Sequence, residues 1–498
     1  MHRAALPLLL TLALGCDPGE MTFDAGPDGR RDAGGDAASD AATDGGDEDA
    51  GPIDAGPPPE PEPATELGDP MQEEWVFVQS HLHTTGFHTC ADAPTMPTGP
   101  EADCYTSEGI TAFLEEALAR DASDMVITDH NNIDAWFDPA FVPLADETRT
   151  RYATPLRGTE WSSRDGHMTL LFPSEVVSDN MAAIANGWVF AAGNRVPVSG
   201  ASDYEMAIDS VHAVGGIAII NHPELLIHAF PEDSLDADGV EVGIPPNPLD
   251  DVGGGAVSAH SSAEARRYWQ RRLVSGQRLA GTAGADHHHG GGDIPGLESP
   301  TFGLAVNLIR VDPALPNTVD VEAALADPAT TIDQRTAIVM DAIRRGHVMV
   351  VEDEGAARVF VGADVDGDGR FHDARAGDCV LEADGELRLR VRIEGASASF
   401  GSGHYNLEVW THADDASPEW FVEVDYDDGF PADPRYEVDP VDPFTIELTL
   451  PYAADEARFV RFVLVRDVVG PVNDTEVVTN PVYYGAWGAE CDGASPLY

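Results

Sequence analysis

Past residue 72 the chain alternates short apolar runs with stretches of helical period. Trp75-Val76-Phe77-Val78 reads as a buried strand, Ile110, Phe113, Leu114, Ala117 and Leu118 recur at helical spacing, and Met125-Val126-Ile127 is a second apolar run. The unit repeats. A helix from about Tyr204 to Val214 stops at Gly215-Gly216 and leads into the strand Ile217-Ala218-Ile219-Ile220. Ser261 with Glu264 makes a capping box opening an Arg-rich helix through Leu273, ahead of a strand near Leu279. Strands alternating with helices predict a parallel sheet or barrel.

From about Ala357 the period becomes two. Leu387, Leu389, Val391 and Ile393 alternate with Glu386, Arg388, Arg390 and Arg392, as in an antiparallel strand with one wet face. Similar runs at Leu407–Trp410, Trp420–Val424, Phe444–Leu450 and Phe459–Val465 predict a β-sandwich. The fold class expected is therefore α/β, a barrel over residues 71–355 followed by a smaller all-β sandwich over 356–498.

The first 70 residues follow neither pattern. His2 and Arg3 precede an apolar run from Ala4 to Leu14, too short to span a bilayer and carrying Pro7, so residues 1–16 read as a signal peptide. The run ends Leu12-Ala13-Leu14-Gly15-Cys16, which resembles a bacterial lipobox, with Ala13 where Leu is preferred. The expectation is an exported lipoprotein anchored through Cys16 and facing the periplasm or cell exterior, with plain secretion as the alternative. Residues 17–70 are Asp-Ala-Gly repeats and then Pro-rich, too poor in apolar surface to fold, and read as an acidic tether.

Composition narrows the chemistry. The 498 residues carry 28 basic against 88 acidic side chains, a net charge of −60, and every basic residue is Arg. With no lysine, Schiff-base chemistry, a phosphate-loop lysine and a carbamylated-lysine metal bridge are all excluded. The charge repels nucleic acid and anionic lipid, so neither is an expected partner, and membrane contact is expected only through the lipid anchor.

Candidate chemistry gathers at predicted strand ends: His81-Leu82-His83, Asp129-His130, Gly158-Thr159-Glu160, Gly166-His167, Asn221-His222-Pro223 and Gly284-Ala285-Asp286-His287-His288. A single His-x-His is weak evidence, because most histidines are surface or packed residues. Recurrence after one strand after another is much stronger, since the carboxyl ends of barrel strands converge on one face. Imidazoles and carboxylates without thiolates suit Zn, Mn or Fe.

In that order these motifs resemble the PHP (polymerase and histidinol phosphatase) metallohydrolases. Val240-Glu241-Val242, Gly346-His347-Val348-Met349-Val350 and a carboxyl-terminal β domain make the CehA/McbA-like branch the most similar. The resemblance covers roughly Trp75 to Tyr498 and implies a distorted seven-stranded β/α barrel with two or three divalent ions. Carried over, His81, His83, Glu160 and Asp286 hold the first, and Glu160 bridges to a second on His167 and His222. His130 and His288 hold a third with His88, for which Asp92 and Asp103 are alternatives; the run His287-His288-His289 also leaves room for a shift of register. Ser80 departs from the family's usual Asp or Gly.

The reaction implied is attack by metal-activated water on a phosphoester, with a carboxylic or carbamate ester as competitor. Arg164 is a candidate anion clamp or a solvated surface residue. A binding lipoprotein with a relic site is the remaining class. His212, His228, His260 and His347 read as packing or surface residues. Asp364-x-Asp366-x-Asp368-Gly369 looks like the start of a calcium loop, but Arg375 stands where an EF-hand has its twelfth-position Glu, so a solvated acidic turn is equally open. Four cysteines besides Cys16 suggest disulfides in an exported protein, with Cys90–Cys104 and Cys379–Cys491 favoured by locality among three pairings.

Overall fold

The structure, a computed structural model, describes residues 75–84, 107–119, 124–130, 133–146, 151–162, 166–174, 201–223, 230, 235–243, 262–288, 304–310, 331–353, 356–383, 385–394, 404–413, 418–425, 444–467, 474–487 and 491. The segments expected to be a signal peptide and a tether, with Cys16, and also His88, Cys90, Asp92, Asp103, Cys104, Arg164, His228, His260 and Ser261 lie outside the described residues.

The strands are β1 (Trp75–His83), β2 (Asp124–Ile127), β3 (Leu144–Asp146), β4 (Arg151–Ser162), β5 (His167–Leu171), β6 (Ile217–Asn221), β7 (Gly239–Gly243), β8 (Ala280–Ala283), β9 (His287–His288), β10 (Leu304–Arg310) and β11 (Val348–Asp353). The helices are α1 (Ser107–Ala119), α2 (Ala201–His212), α3 (Ser262–Val274) and α4 (Ile332–Arg345). The fold is mixed α/β around a curled sheet. β1 pairs with β2, β2 with β4, β6 with β7 and β7 with β8 in parallel, as the alternation of strands and helices predicts. β4–β5, β5–β6, β1–β10 and β10–β11 are antiparallel. The first departure has a simple cause: Ser162 and His167 are joined by a connection too short for a crossover, so the chain can only turn back.

Helix ends follow local chemistry. Thr331 Oγ1 accepts the Gln334 N–H at 3.2 Å while Gln334 Oε1 accepts the Thr331 N–H at 3.0 Å, and α4 ends on left-handed Gly346 (φ 71°). The α1 face Ile110, Phe113, Leu114 and Ala117, periodic in the sequence, is buried.

Two asparagines join β8 to strands β10 and β11. Asn307 Oδ1 accepts the Ala283 N–H at 2.7 Å and its Nδ2 donates to Ala283 O at 3.1 Å and Val78 O at 3.3 Å. Asn480 does the same for Gly281, accepting its N–H at 2.7 Å and donating to its carbonyl at 2.9 Å and to Val348 O at 2.7 Å. Both side chains are 1% exposed, so each supplies in the interior the bonds a neighbouring strand would have made. Ser80 belongs to the same seam: its hydroxyl donates to Ala283 O and accepts from Asn307 Nδ2.

The carboxyl-terminal strands are β12 (Arg358–Asp364), β13 (Ala374–Arg375), β14 (Cys379–Val380), β15 (Glu386–Glu394), β16 (His404–Thr411), β17 (Trp420–Asp425), β18 (Phe444–Pro451), β19 (Ala457–Asp467), β20 (Asp474–Thr479) and β21 (Val482–Gly485). One sheet has the order β13-β12-β15-β18. On β15, Leu387, Leu389, Val391 and Ile393 are fully buried against Tyr405, Leu407, Val409, Phe462 and Leu464 from β16 and β19. The facing sheet does not stop at the predicted domain boundary: β20 pairs with β11 (Met349 opposite Thr479), making its strands continuous with those of the curled sheet that carries β1 and β10. Cys379 and Cys491 form a disulfide, as one of the favoured pairings anticipated.

Candidate metal centre

The site is built where strands end. β1 carries His81 and His83 at its last positions, and its pairing with β2 shifts register between Gln79 and Leu82. Such a bulge re-aims side chains, and His81 has a φ of 65°. His222 (26°) and Asp286 (47°) are likewise left-handed, so three of the four non-glycine residues with positive φ among the described residues sit here. Each such conformation costs on the order of 1–3 kcal/mol and persists only where the surroundings over-determine it. Because β5 runs against β4, His167 lies opposite Ser162 and arrives at the same end of the barrel as Glu160.

Glu160, wholly buried, is the hub. Its Oε1 lies 3.1 Å from His81 Nε2, 3.0 Å from His167 Nδ1 and 3.3 Å from His222 Nε2, and accepts from Asn221 Nδ2 at 3.0 Å. Its Oε2 lies 2.7 Å from His130 Nδ1 and 3.5 Å from His83 Nε2. Asp286 Oδ1 stands 3.5 Å from His81 Nε2 and 3.4 Å from His83 Nε2. The two oxygens of one carboxylate thus face two sets of imidazoles. Asp286, with 22% side-chain exposure, marks the side open to solvent.

Outer partners fix the rings. Glu241 Oε1 lies 2.7 Å from His81 Nδ1 and Glu241 Oε2 accepts the His222 N–H at 2.9 Å. Ser162 Oγ is 2.6 Å from His130 Nδ1. Asp129 accepts the Thr84 N–H at 2.7 Å and its hydroxyl at 2.8 Å, tying the end of β1 to that of β2. Burial opposes charge on His81, but Glu160, Glu241 and Asp286 raise its pKa well above the usual imidazole value. Burial likewise opposes ionisation of Glu160, yet His81, His130 and His167 hold its carboxyl well below the usual range.

One ligand atom from each of His81, His83, Glu160 and Asp286 lies within 4.8 Å of the others, and the same holds for His130, Glu160 and His167 and for His81, His222 and Glu241. Of the residues singled out in the sequence, the structure therefore gathers His81, His83, His130, Glu160, His167, His222 and Asp286. The backbone of His288 stands opposite His83, and its side chain lies outside the described residues. His212 and His347 are held by carboxylates away from the centre, at 2.8 Å from Asp238 and 2.7 Å from Asp378. Glu241, buried to 2% exposure, joins the centre although the sequence did not single it out as a ligand or positioning residue; there it stood only within the Val240-Glu241-Val242 motif of the resemblance.

The donor set fits a borderline divalent cation. Among the described residues imidazole nitrogens and carboxylate oxygens converge without thiolates, and the rings of His83 and His130 stack with centroids 4.4 Å apart. Protonating such neighbours to balance the buried carboxylates sets like charges against each other, whereas a dication balances them without protons. In the carboxyl-terminal part, the carboxylates that converge are Asp364, Asp366 and Asp373; Asp368 Oδ1 instead accepts the Arg370 N–H at 2.7 Å.

No protein-family model, curated protein or solved structure matches the chain.

Proposed function

We propose that the barrel is a metal-dependent hydrolase of PHP type, acting on a phosphoester at the end of the chain's acidic tether. The observation that carries this reading is the placement of Glu160, one oxygen toward His81, His167 and His222 and the other toward His83 and His130. Such a carboxylate suits adjacent cations: His81, His83, Glu160 and Asp286 converge as one set and His130, Glu160 and His167 as another, with His222 beside Glu160 Oε1. Bound divalent ions would supply a water of pKa lowered toward about 7 and polarisation of the substrate oxygen. The chain's own part is positioning. Glu241 holds His81 by Nδ1, which leaves Nε2 directed at the hub, and Ser162 orients His130. Buried walls exclude bulk water, while Asp286 lies on the open side, where substrate arrives. We further propose export with a lipid on Cys16; among the described residues no helix is long and apolar enough to cross a membrane.

A second reading, cleavage of a neutral carboxylic or carbamate ester, is favoured by the net charge of −60, which repels anionic substrates. Initial rates on chromogenic phosphomonoester, phosphodiester and carboxylester, with metal-stripped and Mn- or Zn-reloaded protein, separate the two. Metal-restored phosphoester cleavage that disappears in Glu160→Gln is expected. Cleavage of the carboxylester alone selects the second reading, and inactivity on all three despite bound metal contradicts both as stated.

A further inference from the structure

The loop between β12 and β13 lies in the carboxyl-terminal part, and its chemistry is separate from the barrel centre. β12 ends at Asp364, whose side chain is wholly buried. Its Oδ2 accepts from Arg388 Nη1 at 2.7 Å and from the Gly369 N–H at 3.2 Å. Its Oδ1 is buried and accepts no hydrogen bond. A buried carboxylate oxygen left without a donor is costly, by about 1–3 kcal/mol or more for a charged group, so an unrecorded partner is implied.

The neighbours indicate what that partner is. One oxygen from each of Asp364, Asp366 and Asp373 lies within 4.8 Å of the others. Asp364 contributes one of these oxygens, and its Oδ1 is the one that no donor engages. The backbone holds the carboxylates in place: Asp373 Oδ2 accepts the Val365 N–H at 2.6 Å and Asp366 Oδ1 accepts the Asp368 N–H at 3.0 Å. Gly367 and Gly369 take the positive φ values of 76° and 83° that the tight turn needs. The nearby cationic groups among the described residues are Arg388 on Asp364, Arg370, 3.8 Å from Asp368, and the imidazole of His372, 3.7 Å from Asp373, so at the buried end the three converging carboxylates meet the guanidinium of Arg388. A cleft lined by Asp366, Asp373 and Glu382 opens the loop to solvent and gives an ion a way in.

We propose that this loop binds calcium through Asp364, Asp366 and Asp373. The set is all oxygen and sits on a glycine-rich turn, which suits a hard cation tolerant of irregular coordination and completed by carbonyls and water. Zinc and manganese, by contrast, match the imidazole centre of the barrel. Three carboxylates partly offset by Arg388 place the affinity in the range of extracellular modules, a Kd on the order of 10⁻⁴–10⁻³ M.

The test is calorimetric titration of the full chain with calcium chloride after EGTA treatment, at 150 mM salt to suppress diffuse binding to the acidic surface, with magnesium chloride as control. Asp366→Asn/Asp373→Asn is the diagnostic variant; both residues are on the outer side of the loop, and circular dichroism checks its fold. The expected result is saturable calcium binding not matched by magnesium, weakened tenfold or more in the variant, with the zinc or manganese content of the barrel unchanged. Absence of calcium binding up to 5 mM, or binding equally strong in the variant, overturns the proposal. Asp366→Asn alone, expected to weaken binding by a smaller factor, decides the matter should the double variant lose structure.

Discussion

Glu241 Oε1 lies 2.7 Å from His81 Nδ1, and its second oxygen accepts the His222 backbone N–H at 2.9 Å, so one buried carboxylate holds two histidines whose rings stack with centroids 5.5 Å apart. A ligand whose ring is held in this way presents one tautomer and one direction.

Glu241→Ala should therefore lower affinity for zinc or manganese by about 10- to 100-fold while leaving the far-ultraviolet spectrum unchanged. Competition with a chromogenic chelator measures it. An affinity equal to wild type would remove Glu241 from the account of the site.

Gly284 provides an independent route to the same carboxylate. A Cβ there would collide with the Glu241 carboxylate, so Gly284→Ala must displace it. The variant is expected to match the Glu241→Ala loss in metal affinity, and combining the two should cost little more than either alone. Full additivity in the same chelator assay would show that the two act separately.

Asn307 should be worth more to stability than to chemistry. Its removal leaves Ala283 N–H and O without their partner in a dry seam, and Asn307→Ala is expected to cost about 2–4 kcal/mol in urea unfolding. A loss under about 0.5 kcal/mol would mean that water or a shift of β8 replaces the side chain.

Acid stability has an identifiable source where the barrel meets the sandwich. Asp378 accepts from Arg310 Nη2 at 2.7 Å and lies 2.7 Å from His347 Nε2. Burial works against its ionisation, but His347 and Arg310 hold its carboxyl far below the usual range, and burial lowers the pKa of His347. Both shifts have the same sign: the folded state binds fewer protons than the unfolded one. The stability they contribute is present above the unfolded values and lost on acidification, below about pH 6.5 for the histidine and below about pH 4 for the carboxylate. Asp378→Asn should flatten the fall in urea midpoint between pH 5 and pH 3; an unchanged slope would place the acid sensitivity elsewhere.

Much of the centre was legible because its residues stand where apolar runs break off. His81, His83, His130, His222 and Asp286 each stand at or just past a run that reads as a strand, and the curled sheet brings those strand ends together. The positioning role of Glu241 was hidden, although its motif was noted, because Val240-Glu241-Val242 has the alternation of a strand with one wet face, and only the burial of that face in the fold makes it dry. The β-sandwich strands were legible from period two, as on β15. The pairing of β11 with β20 was not, because ladder partners far apart in sequence leave no local pattern, and for the same reason Asn307 and Asn480 gave no sign of closing a seam.

The central claim is that Glu160 joins a divalent-metal centre. Elemental analysis by inductively coupled plasma mass spectrometry, on full chain dialysed against zinc or manganese and then against buffer, tests it most directly. The account predicts retained stoichiometric transition metal in the wild type and its loss in Glu160→Gln. A wild type that emerges metal-free, or a Glu160→Gln variant that keeps the full complement, would contradict it.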